Sequence, residues 1–103
     1  VHGIGNALFE EMIYDDNGQP QTTNYGEYLL PLATEMPPIN IVHQETASPL
    51  NPLGLKGAGE GGTIPAAGAI IAAIENALQE FDVVIDRYPV NPQYLCELID
   101  SGA

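Results

Sequence analysis

Residues 56–78 read KGAGEGGTIPAAGAIIAAIENAL, a glycine-rich run that opens directly onto small and aliphatic side chains. The second half sets the architecture. Ala67, Ile70, Ile71, Ile74, Ala77, Leu78 and Phe81 recur at helical spacing, so the segment predicts an amphipathic helix. Glu75, Gln79 and Glu80 fall on its wet face, and Ala66, Ala69, Ala72 and Ala73 keep it thin enough for close packing. Thr63 reads as the N-cap and Pro65 as a first-turn residue, whose missing N–H is no loss there.

The first half poses a chemical question, because Glu60 places a carboxylate inside a loop of the kind that gathers anions. Gly57, Gly59 and Gly62 satisfy the spacing G-x-G-x-x-G. A dinucleotide fingerprint also needs a buried strand before the first glycine and an acid beyond a second strand. Here SPLNPLGLK precedes the loop with two prolines and no alternation, and the candidate acids Glu75 and Glu80 lie in the same helix. That reading fails on context. Two readings stay open. In one, the glycines form a flexible turn and Glu60 favours the positive end of the helix dipole, worth roughly 0.3–1 kcal/mol. In the other, backbone N–H groups approach a bulky anionic ligand, and Glu60 serves as general base at its reacting end, four residues after Lys56.

Outward from this loop, residues 46–62 form a long connection with Pro49, Pro52 and five glycines. Connections beyond about 12–15 residues are uncommon and tend to be functional or disordered. INIVHQE (39–45) alternates and is β-branched, and FDVVIDRYPV (81–90) is similar, so both predict strands. Residues 4–14 put Ile4, Leu8, Phe9 and Met12 on one helical face. DDNGQPQ (15–21) is a turn, and Pro31, Pro37 and Pro38 break the stretch after it into short extended pieces. Asn91-Pro92 predicts the start of a last helix, PQYLCELID. The order implies an α+β class, a small sheet packed against helices.

Composition narrows the partners. Lys56 and Arg87 alone offset fourteen acids, giving a net charge of −12 over 103 residues. Such a surface repels phosphate backbones and anionic membranes, so nucleic acid is excluded as a partner. No apolar run is long enough for a membrane span. The single cysteine, Cys96, rules out an internal disulfide and fits a reducing, cytoplasmic setting. His2 and His43 read as surface or satisfied side chains and Cys96 as a half-buried helix residue, since none has a spaced partner for a metal. The start at Val1 without an initiator Met suggests a piece of a longer or processed chain.

PLGLKGAGEGGTIPAAGAIIAAIENAL (52–78) closely resembles the C-terminal signature of the molybdopterin-binding large subunit of molybdenum hydroxylases, the xanthine dehydrogenase, aldehyde oxidase and aerobic CO dehydrogenase enzymes. GIGNALFEEMIYDDNGQPQTTNYGEYLLPLATEMPPI (3–39) resembles the segment just upstream, and YPVNPQYLCELI (88–99) the closing helix. The likeness spans almost the whole chain in one order. It implies that residues 1–103 are a C-terminal fragment of a molybdenum cofactor-binding domain. It implies that Glu60 is the catalytic base beside the molybdenum, and that Lys56, Gly57, Ala58 and Gly59 lie against the pterin, largely through backbone groups. The pterin holds the metal, so no protein metal ligand is expected. The implied cofactor is molybdenum-molybdopterin, in its plain or cytosine dinucleotide form, and none of it is expected to stay on the isolated chain, which is expected to be inactive alone. The implied partners are the remainder of the large subunit and iron–sulfur and FAD subunits or domains. The competing expectation is a non-catalytic interaction module that docks through the alanine-rich helix.

Overall fold

In the computed structural model, which describes residues 1–102, three helices carry the fold: α1 (His2–Leu8), α2 (Ala66–Ala77) and α3 (Pro92–Gly102). Helices α1 and α2 pack through small residues. A Cβ placed on Gly3 would collide with the Ala66 Cβ and lie 3.1 Å from the Thr63 carbonyl oxygen. The core sits where α2 and α3 meet the segment between them. Ile85, Val90 and Tyr94 are buried, with Leu8, Ile71, Ile74, Leu95 and Leu98 packed around them.

Helix α1 is shorter than its apolar spacing predicts, and the cause is a contact distant in sequence. The Ala7 carbonyl, which Glu11 N–H would need for another turn, accepts the Val90 N–H at 2.7 Å. Phe9 and Glu10 N–H both fall back on the Gly5 carbonyl at 2.9 Å, which closes the helix. Beyond it the turn at 15–21 forms as expected. Asp15 Oδ1 accepts the N–H groups of Asn17 and Gln19 at 2.9 Å each, and Gly18 takes φ +78°. Thr22 is buried behind this turn, where its hydroxyl oxygen accepts Ile13 N–H at 3.0 Å.

Helix α2 begins at Ala66 rather than just after Thr63. Pro65 is its N-cap, and no side chain caps it. Thr63 and Ile64 instead donate their N–H groups to the Glu60 carbonyl at 3.0 Å, so a turn stands where a capped helix start was expected. Glu75, expected on the wet face, is half-buried and accepts Ile85 N–H at 2.8 Å. The Asn91 cap of α3 does form: its side-chain oxygen accepts Tyr94 N–H at 2.9 Å, and its carbonyl accepts Leu95 N–H at 3.1 Å. Cys96 is exposed rather than half-buried.

The small sheet of the expected α+β class is not formed among the described residues, whose one antiparallel pairing is an isolated bridge from Tyr14 to Pro20. Residues 81–90 pass their donors to three separate elements: Ile85 to Glu75, Asp86 to the Tyr94 hydroxyl at 3.3 Å, and Val90 to Ala7. Residues 36–47 engage in no backbone–backbone hydrogen bond among the described residues. A strand is stable only against a partner, and the described residues offer this segment none.

The proportions agree with an open structure. The radius of gyration is 17.8 Å, against about 13 Å for a compact domain of this length. Ile41 is 77 %, Val42 89 % and Leu50 92 % exposed. No described helix is long and apolar enough to cross a membrane.

Candidate functional site

The glycine loop extends from a short, internally bonded arm. Residues 46–56 hold themselves together through their own hydrogen bonds. Lys56 Nζ donates to Thr46 Oγ1 at 2.6 Å, Ser48 N–H donates to the Gly54 carbonyl at 3.1 Å, and Asn51 engages Leu55 twice. Gly54 N–H returns to the Asn51 carbonyl at 3.1 Å, with Gly54 at φ +68°. A side chain there would be strained, and its Cβ would stand 2.9 Å from the Ala47 Cβ. Glu45, Thr46, Ala47, Leu53, Gly54 and Lys56 line a cavity of about 300 Å³.

Past Lys56 the internal bonding stops. The N–H groups of Lys56, Gly57, Ala58, Gly59 and Glu60 donate to nothing within the described residues. Bonding resumes with Gly61 N–H on the Ala58 carbonyl at 3.3 Å. All five donor residues are exposed, Glu60 among them. Backbone donors need partners, so a run of free ones at one bend is suited to a polar or anionic ligand that takes several at once.

The glycines point the same way. A Cβ on Gly57, Gly59 or Gly62 would meet nothing within 4 Å, and none of the three takes a positive φ. The chain's own conformation does not require them. Glycine positions without Cβ atoms leave room for a large flat group to lie against the backbone, which is what a pterin would need. The residues present therefore fit that group.

Sequence reasoning singled out Lys56 to Glu60, and the structure sets them consecutively along one exposed bend, with the Lys56 ammonium turned back onto Thr46. It missed Thr46 and Asn51. The available signal was the asparagine followed by Pro-Leu-Gly, since a short amide side chain next to a turn commonly bonds nearby backbone. No group of three or more His, Cys, Asp or Glu side chains able to hold a metal ion occurs among the described residues.

Residues 1–37 match the family model of the molybdopterin cofactor-binding domain. The 6-hydroxypseudooxynicotine dehydrogenase complex subunit gamma of Paenarthrobacter nicotinovorans is 48 % identical over 96 residues, which is 92 % of this chain and 12 % of that protein. The nicotine 6-hydroxylase large subunit of the same organism is 40 % identical over 93 residues, 90 % of this chain and 11 % of that one. Among solved structures, quinoline 2-oxidoreductase from Pseudomonas putida 86 superposes with a TM-score of 0.88 at 44 % identity, covering 96 % of this chain and 13 % of that one. The chain is a fragment of a molybdopterin cofactor-binding domain of the molybdenum hydroxylase family. It spans about an eighth of the length of these relatives, two of which are named as subunits.

Proposed function

We propose that this molybdopterin-binding fragment is the C-terminal part of the large subunit of a molybdenum hydroxylase, supplying one wall of the cofactor site and its catalytic base, Glu60. The observation that carries the reading is the run of free N–H groups from Lys56 to Glu60, ending on the one carboxylate in the glycine loop. Molybdenum-molybdopterin, in its plain or cytosine dinucleotide form, supplies the redox chemistry when bound. The chain's own work is binding and proton transfer. The Gly57, Ala58 and Gly59 amides would hold the pterin, and Lys56, anchored on Thr46, fixes the start of the loop. The Glu60 carboxylate would act as the proton acceptor, a role worth about 10²–10⁴-fold in rate for a well-placed base. Electrons leave through iron–sulfur and FAD partners in the cytoplasm. The names of the relatives favour N-heteroaromatic substrates over CO or aldehydes.

The sheet belongs to this proposal as well. Residues 39–45 keep an alternating β-branched pattern with unpaired backbone, the condition for joining a sheet supplied by the remainder of the subunit. The alternative of a non-catalytic docking module draws on the exposed small face of α2 at Gly68, Ala69, Ala72 and Ala73. Native mass measurement of the assembled complex separates the two, because only the enzyme reading requires bound molybdenum and pterin. The decisive experiment is Glu60→Gln in the assembled enzyme. Turnover is expected to fall about 10²–10⁴-fold with molybdenum content unchanged, since the amide keeps the shape and cannot take the proton. Turnover within a few-fold of wild type would remove Glu60 from the mechanism.

A further inference from the structure

Asn51 reaches four residues ahead and grips Leu55 from both sides. Its Nδ2 donates to the Leu55 carbonyl at 2.9 Å, and its Oδ1 accepts the Leu55 N–H at 2.8 Å. These two bonds fix the peptide planes before and after Leu55, and so set the direction in which the chain enters Lys56 to Glu60. Beyond Leu55 no backbone hydrogen bond donated by the next five residues constrains the path. The far end of the bend is held by the Ala58 and Glu60 carbonyls, which accept the Gly61, Thr63 and Ile64 N–H groups, so the entry of the loop is set at its root, where Asn51 is half-buried.

We infer that Asn51 is a positioning residue for the cofactor-facing loop, its side-chain amide aiming the Lys56–Glu60 bend and with it the Glu60 carboxylate. The inference rests on the reading of that loop given above. Only a short amide does this. An ionised aspartate offers two acceptors and keeps one bond, to Leu55 N–H, while facing the Leu55 carbonyl with like partial charge. Alanine keeps neither bond. Lys56 on Thr46 and Ser48 on Gly54 hold the arm closed, but neither touches Leu55, so they cannot replace the grip.

The test compares Asn51→Ala, Asn51→Asp and Glu60→Gln in the assembled enzyme, reading kcat per bound molybdenum, KM, the Mo(V) electron paramagnetic resonance line shape and amide exchange across residues 55–60. Asn51→Ala is expected to lower kcat per molybdenum about 10–100-fold, as a misplaced group of order 1 Å does, with KM within about twofold. Its resonance is expected to shift, and exchange at the Leu55 amide to quicken about tenfold, consistent with the loss of its bond to Asn51 Oδ1. Asn51→Asp is expected to fall between alanine and wild type, and carries the test alone should Asn51→Ala fail to assemble. A purely scaffolding asparagine would reduce the yield of enzyme and leave kcat per molybdenum and the line shape untouched. That result overturns the inference. If Glu60→Gln keeps its turnover while Asn51→Ala loses it, the base assignment falls and the positioning role stands. The reverse pattern removes Asn51 and leaves Glu60.

Discussion

Helix α1 carries two glycines and the arm from residue 54 to 62 carries five, and the two sets answer to different surroundings. At Gly3 a side chain would strike Ala66 of α2, and at Gly5 its Cβ would lie 2.9 Å from the Pro31 Cδ. These two are small because the chain packs on itself there. Of the five in the arm, Gly54 is held by a positive φ and the nearby Ala47, whereas Gly57, Gly59 and Gly62 would touch nothing. A glycine that nothing inside the chain requires still has a cost, because it loses more backbone entropy on ordering than any other residue. The contrast divides the molecule into a half folded around its own contacts and a half shaped for something beyond it. The packed half holds the Ile85, Val90 and Tyr94 core, and the other exposes Ile41, Val42 and Leu50 to water.

The sharpest way to break this division is to put the same side chain on both sides of it in the assembled enzyme. Gly59→Val should leave the melting free energy within about 0.5 kcal/mol of wild type, as exposed changes do. It should still lower molybdenum content or turnover about 10²-fold, because the added atoms stand where the pterin would lie and displace reacting groups. Gly3→Val should do the converse, costing about 1–3 kcal/mol in thermal melts through overpacking against Ala66, with turnover per molybdenum retained. If both variants lose stability alike and neither loses cofactor, the arm is an ordinary packed loop and the division is wrong.

A second test works within the open half. Residues 39–45 have a strand's sequence and no backbone partner among the described residues. In the complete subunit, Val42→Pro should remove one ladder donor and cost about as much as a lost buried hydrogen bond, 1–3 kcal/mol. Amides 40–44 should be slow to exchange in wild type and fast in the variant. Fast exchange in wild type would mean that the segment joins no sheet.

What could be read from sequence follows the same line. The Asn91-Pro92 start of α3 was legible because a cap is local: the side chain and the N–H it takes are three residues apart. The turn at 15–21 was legible for the same reason. The end of α1 was not, since it depends on Val90 N–H reaching the Ala7 carbonyl from 83 positions away in sequence. The role of Glu75 was hidden likewise, because it answers to Ile85 across a turn. Periodicity marked 39–45 and 81–90 as extended, yet a sheet is a property of at least two segments, and the pattern of one does not supply the other. At the site, the glycines and Glu60 stood out by spacing, while Asn51 did not, because a lone asparagine in a loop is usually only a turn former. Replacing the Asn91 cap by alanine should cost about 1 kcal/mol in melts of the subunit, as loss of an N-cap does, and leave the cofactor bound.

The smallest effect lies within the packed half, where Tyr28 donates its hydroxyl to Glu10 Oε2 at 2.7 Å and so ties the stretch after the turn to the end of α1. That bond to Glu10, then burial, then the charges of Glu10 and Tyr25 raise the Tyr28 pKa above its ordinary 10.0. The protonated phenol is the bonded form, and its folded-state pKa stands above the unfolded one. Its stabilisation is therefore fully present below the ordinary tyrosine value and lost as pH rises through the raised folded value. An absorbance titration of phenolate in the subunit should include a late-ionising step that Tyr28→Phe removes. The variant should also melt with a flatter dependence on pH in the alkaline range while matching wild type in its response near neutrality. If the late step survives the substitution, Tyr28 is not held by Glu10.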